Sequence, residues 1–229
     1  MTETEKDMLK KLYVDEERIE KGFLLSYQRI TLEQYRYVQH YLSEKYPSYD
    51  FAILVCEPMT RADNYAKFTF NVIGESLDDY YLAHVYGDDI NQFTAKDNFY
   101  NRIISEEFSK YIARSMNDSV NDILFIQTTF TEKLGPDFNE YISVDTLLSS
   151  KEHISQHTEF YVSVKNDDSK MFESVCTDIE ASLKKMKLYG AYTVYQIPEH
   201  IAEDYSDPKS FVKADYIKEY CFDGFGWED

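Results

Sequence analysis

Lys67-Phe-Thr-Phe-Asn-Val-Ile-Gly-Glu-Ser-Leu-Asp-Asp-Tyr-Tyr-Leu-Ala-His-Val-Tyr86 carries the pattern that sets the fold class. Phe68, Phe70 and Val72 alternate with Lys67, Thr69 and Asn71, which is the two-residue period of a strand with one face on a core and the other in water. Gly74-Glu75-Ser76 supplies the turn, and Tyr80 to Tyr86 returns as the hairpin partner.

Upstream, Phe51-Ala-Ile-Leu-Val-Cys56 is apolar at every position, as expected of a central strand covered on both faces, and Pro58 ends it. Before it, Leu32, Tyr35, Val38, Leu42 and Tyr46 recur at steps of three and four. That spacing predicts a helix capped by Thr31 and finished before Pro47. Tyr37 and Tyr41 fall off its stripe and are expected at the surface. Residues 3–21 alternate acids and bases around Met8, Leu9, Leu12, Tyr13 and Ile19, which reads as a solvated amphipathic helix.

Downstream, Asp97 can cap a helix with Tyr100, Ile104, Phe108 and Ile112 on one face, followed by a strand over 123–130. Ser143 to Ser150 suits a short helix, and Phe160, Val162 and Val164 alternate as a strand. Asp168 or Ser169 caps a third long helix with the stripe Phe172, Val175, Ile179, Leu183 and Met186; Gly190 stops it, and 191–197 returns as a strand.

Helices and strands in this order predict an α+β fold, with a mixed or largely antiparallel sheet and helices mainly on one face. A single sheet is expected, with Phe51, Ile53, Val55, Phe70, Val72, Phe108, Ile126, Val162, Ile179 and Val194 in the core. The organisation reads as an N-terminal helical arm, 1–22, and one domain, 23–229, with a point of sub-division near 131–157. Segments 99–130 and 172–197 both run helix then strand, a hint of two related halves.

The chain has 42 acidic against 24 basic residues, a net charge of -18 over 229 residues. The first 74 residues are almost neutral, whereas 75–97 hold 6 acids and 1 base, and 199–229 hold 9 acids and 3 bases. Polyanionic surfaces repel nucleic acids and anionic lipids, so a basic protein partner is expected, with neither direct nucleic-acid binding nor membrane binding. Acids at the amino end and three widely spaced cysteines, Cys56, Cys176 and Cys221, point to the cytosol.

Common cofactor motifs are absent. The only Gly-x-Gly is Gly224-Phe225-Gly226, and no glycine precedes a lysine, so neither a dinucleotide fingerprint nor a Walker loop is present. Gly74-Glu75-Ser76-Leu77-Asp78 lacks the final glycine of a nucleophile elbow. His153 and His157 have helical spacing but no glutamate between them and no further ligand by spacing. No cofactor, metal or catalytic residue is therefore assigned.

Acids interleaved with rings are the candidate partner-binding residues: Glu75, Asp78, Asp79, Tyr81, Asp88 and Asp89, with Phe225 and Trp227 from the aromatic, acidic C-terminal stretch. The function expected is non-enzymatic binding of a basic protein, as by an immunity protein or inhibitor. The alternatives are an enzyme whose site is assembled from scattered residues such as Glu57, His84 and Asp88, a DNA-mimic antirestriction protein, and a structural accessory protein.

Overall fold

The computed structural model describes residues 1–116, 122–150, 154–204 and 215–224. These residues form seven α-helices and two four-stranded sheets, an α+β fold. The strands make two sheets where one was expected, each in its own compact unit: Met1–Tyr100 with Glu132–Tyr141, and Asn101–Thr131 with Ile142–Asp229.

The first unit holds α1 (Glu3–Leu12), α2 (Glu16–Glu20), α3 (Ser26–Lys45), β1 (Phe51–Glu57), β2 (Tyr65–Val72), β3 (Tyr81–Tyr86) and β4 (Thr94–Asp97). The segment read as one solvated helix is two. Thr2 and Glu5 form a capping box on α1, while Leu9 of α1 and Ile19 of α2 pack, fully buried, against Leu32 of α3. Glu5 is held by the Arg36 guanidinium at 2.7 and 3.1 Å, which lowers its pKa despite its burial.

The strands follow one another as an antiparallel meander in the order β1-β2-β3-β4, with α3 against β1, β2 and β3. The hairpin read from Lys67 to Tyr86 is β2 and β3. Gly74 adopts φ 92°, a left-handed conformation that only glycine takes freely. The apolar run 51–56 is an edge strand, not a central one. Val55 is 50% exposed and belongs to no core, and Phe51 and Ile53 are half-buried. An all-apolar run reads alike at the centre and at the edge of a sheet, and only the pairing distinguishes them.

Helix α3 begins before Thr31, with Leu25 at its N-cap; Gln28 Oε1 accepts from the Leu25 N–H at 2.8 Å. Thr31 is inside the helix, its hydroxyl donating to the Tyr27 carbonyl four residues back at 3.1 Å, the usual resolution for a threonine in a helix interior. Tyr41 is buried rather than exposed, and Tyr37 is half-buried against Phe93. The covered face of α3 is wider than its apolar stripe because the segment 132–141 also lies against it.

The second unit holds α4 (Tyr100–Met116), β5 (Ile123–Phe130), α5 (Val144–Leu148), β6 (Gln156–Val162), α6 (Ser169–Met186), β7 (Gly190–Gln196), α7 (Glu199–Asp204) and β8 (Lys218–Asp223). Tyr100, the first residue of α4, is counted with the first unit. The order is β5-β6-β7-β8: β6 and β7 are parallel, joined by the crossover helix α6, and the outer pairs are antiparallel. Phe108 of α4 packs edge-on against Phe130, and Lys218 and Tyr220 of β8 reach Glu173 and Glu180 of α6. Phe130, Lys218 and Tyr220 all project from one face of the sheet, so both long helices cover that face. Phe108, Ile126, Val162, Ile179 and Val194 are buried as expected, as are Phe70 and Val72 of the first unit.

Asp168 caps α6, accepting from the N–H groups of Lys170 and Met171 at 2.8 and 3.1 Å. The helix stops at Lys187, in the left-handed conformation at φ 53°, and not at Gly190. Gly190 opens β7, where a Cβ would stand 2.3 Å from the Gln156 carbonyl oxygen of the paired strand. His157 lies in β6, so helical spacing with His153 does not apply; His153 is outside the described residues.

Candidate functional site

The acidic residues picked out in the sequence do not meet. Asp78 and Asp79 are exposed in the connection from β2 to β3, beside the exposed Ile73, Leu77 and Tyr80, and Glu75 is half-buried there. Asp88 and Asp89 are exposed at the other end of β3. Six strand residues, about 20 Å at about 3.3 Å each, separate the two groups. Tyr81 packs edge-on against Phe99 at 4.8 Å, within an aromatic cluster that includes Phe51 and Phe70. Phe225 and Trp227 lie outside the described residues. Of the C-terminal stretch, Tyr220 and Phe222 belong to β8, and Phe222 stacks on Tyr192 of β7 at 5.1 Å.

Asp97, expected as a helix cap, ends β4 at the centre of a buried charged network. Its carboxylate accepts from Lys45 Nζ at 2.6 Å, the Tyr41 and Tyr46 hydroxyls at 2.7 and 2.8 Å, and the Phe99 N–H at 2.8 Å. Lys45 also donates to the Leu134 carbonyl at 3.0 Å, and Asp97 exchanges backbone hydrogen bonds with Leu134. Desolvation, followed by the Asp97 charge, raises both tyrosine pKa values. Neither Asp97 nor Lys45 is exposed, so this network anchors the segment 132–141 and offers no surface for chemistry.

The counterpart in the second unit is uncharged. Gln156 Nε2 donates to the Tyr192 hydroxyl at 2.8 Å, which donates to the Leu188 carbonyl at 2.6 Å. Thr158 bonds Gln156 Oε1 and meets Thr128 at 3.0 Å, and the Thr128 N–H donates to Ser109 Oγ at 3.0 Å. A cavity of about 250 Å³ next to Gln156 is walled by Phe108, Phe130, Leu147 and Leu188, with no carboxylate among its described lining residues.

The face of the second sheet away from α4 and α6 is different. Cross-strand register aligns Gln127, Glu159, Thr193 and Cys221 in one row, and Phe125, Tyr161, Tyr195 and Glu219 in the next. Rings run along it from Phe125 to Tyr161 at 6.0 Å, to Tyr195 at 5.3 Å and to Tyr216 at 4.9 Å. The carboxylates lie against tyrosines: Tyr161 donates to Glu159 at 2.9 Å, and the Glu219 charge raises the Tyr216 pKa. Among the described residues no lysine or arginine forms an ion pair with Glu159, Glu219 or Asp223. Ile197 and Ile201 cover the Tyr161 end, whereas Tyr216 is half in water and Glu219, Cys221 and Asp223 are exposed.

Period-two alternation places Glu159 and Tyr161 on the face opposite Phe160 and Val162, so half of this surface was readable within β6. Its union with Tyr195 and Glu219 depended on the register of β7 and β8, and β8 has no apolar run to announce it.

His157 Nε2 and Cys221 Sγ both approach Thr193 Oγ1, at 3.1 and 3.8 Å. The hydroxyl stands between them, so thiol and imidazole form no direct dyad. All three cysteines are free, and burial pushes the Cys56 and Cys176 thiols up to about 12. Among the described residues, no three His, Cys, Asp or Glu side chains gather as a metal site requires, and no helix is long and apolar enough to cross a membrane. No protein-family model, no curated protein and no solved structure matches the chain.

Proposed function

We propose that this chain is a non-enzymatic, cytosolic binding protein that docks a basic protein, as an immunity protein or inhibitor does, through the open face of its second sheet. The observation that carries this reading is the tyrosine ladder, buried at Tyr161 and open at Tyr195 and Tyr216, with Glu159, Glu219 and Asp223 set along it and, among the described residues, no basic side chain paired to them. Tyrosines offer large, stiff contact area with a polar tip, the composition of binding hot spots. The carboxylates steer and orient a cationic surface, while repelling nucleic acid. The acidic connections at the two ends of β3 add long-range attraction in the first unit.

The test is affinity capture from the source lysate with wild-type chain and with a Glu159→Gln/Glu219→Gln/Tyr195→Ala chain, at about 0.1 M and about 1 M salt, where the Debye length falls from about 10 to about 3 Å. The reading expects a basic protein held by the wild type at low salt, released at high salt and lost with the variant. Equal recovery by both chains, or a partner indifferent to salt, contradicts it.

A further inference from the structure

We propose that the open face of the first sheet is a binding site for a small phosphate monoester, held through its phosphoryl dianion by Lys133, Lys67 and His84. The cross-strand register sets Glu57, Lys67, His84 and Lys96 in a single row over all four strands, and Tyr65 and Tyr86 in the row beside it. The Tyr65 ring stacks on His84 at 3.9 Å and 9°, fixing the imidazole in place. Lys133 comes from the segment that the Asp97 network pins down, and it is half-buried with no ion-pair partner among the described residues.

A desolvated cation without a counter-charge is an unusual feature in a chain of net charge -18, and it calls for an anion. Burial and then the charge of Lys67 lower the Lys133 pKa. Burial, Lys133 and Lys67 together push His84 down to about 4, against the opposing pull of Asp63 and Glu57. The cations thus outweigh the two carboxylates at the imidazole. Glu57 pairs with Lys67 at 2.8 Å, one contact for an ammonium that carries three donors and is 36% exposed. Lys67 and Lys96 stand two strand spacings apart, about 10 Å, on either side of His84. That separation brackets one dianion. A phosphate monoester keeps its second charge only above about pH 6, so the dianion is bound there, and its charge pulls the depressed His84 pKa back up; Lys67, Lys96, Lys133, Glu57, Asp63 and the rings of Tyr65 and Tyr86 are the groups facing it.

The experiment titrates the full chain with inorganic phosphate and with glycerol phosphate, reading the His84 ring resonance by NMR and the heat by calorimetry. Both should saturate, the ester at least as tightly as free phosphate. Lys133→Gln should weaken binding about tenfold or more, as expected for a lost charge-assisted bond, and Lys133→Arg should retain it. Lys110→Gln, on the exposed face of α4, should change nothing. Circular dichroism and a thermal melt establish that each variant is folded. Absence of saturation at about 10 mM ligand, a few-millimolar Kd being a free energy of only about 3 kcal/mol, overturns the proposal. So does Lys133→Gln binding as the wild type does, or a site that takes free phosphate and refuses the ester.

Discussion

The two sheets carry open faces of opposite sign. On the first, Lys67 and Lys96 flank His84 and the Lys133 charge acts on it, with Glu57 paired to Lys67; on the second, Glu159, Glu219 and Asp223 lie along a ladder of tyrosines. Their buried sides differ too. Asp97 and Lys45 close the first unit with a charged pair, while Gln156, Thr158, Thr128 and Tyr192 close the second with neutral hydrogen bonds. A net charge of -18 thus averages over surfaces of different composition, and charge counted by sequence segment does not locate either of them.

The buried networks provide the strongest test of this contrast. Removing one partner of a buried ion pair leaves the other charge stranded, so Lys45→Met should cost about 3–5 kcal/mol in urea unfolding. Replacing both, Lys45→Met with Asp97→Leu, should recover much of that loss. A Lys45→Met chain as stable as wild type would erase the distinction between the units.

In the second unit, Gly190→Ala drives a Cβ toward the Gln156 backbone and should cost about 1–3 kcal/mol. Thr158→Val strands the Gln156 and Thr128 acceptors and donors it now serves, for about 1–3 kcal/mol. Both should unfold less of the total stability than Lys45→Met, and a larger loss from Thr158→Val would reverse the ranking of charged over neutral networks. Asp168→Ala, which removes a helix cap, should cost about 1 kcal/mol.

The pH dependence is the subtlest effect. His84 is depressed to about 4 in the folded chain, against about 6.5 unfolded, so the unfolded state takes up the proton first. Stability contributed by neutral His84 is complete above about pH 6.5 and is lost as pH falls toward about 4. His84→Phe should flatten that part of the stability profile measured by thermal melts, and an unchanged slope would mean the imidazole titrates normally.

How much of this was legible in the sequence depended on distance along the chain. The strand at 123–130 and the helix beginning after Asp168 were readable because period, cap and stripe are local signals. Asp97 was read as a cap because aspartate before an apolar stripe is one, and its real partners, Tyr41 and Lys45, are 56 and 52 residues away. The edge position of Val55 and the rows across each sheet are set by pairing between strands. The candidate surfaces follow the same rule: Glu159 and Tyr161 share a strand and a face, but Tyr195 and Glu219 join them only through the parallel pairing of β6 with β7 and the return of β8.

The claim at the centre of the account is that a basic protein is met by the second sheet and not by the first. A photo-reactive residue placed at position 195, and in a separate chain at position 84, tests it in the source cells. The prediction is a crosslink to a basic protein from position 195 that disappears with Glu159→Gln/Glu219→Gln, and none to that protein from position 84. The same protein crosslinked from position 84, or a crosslink from position 195 that survives loss of both carboxylates, would contradict it.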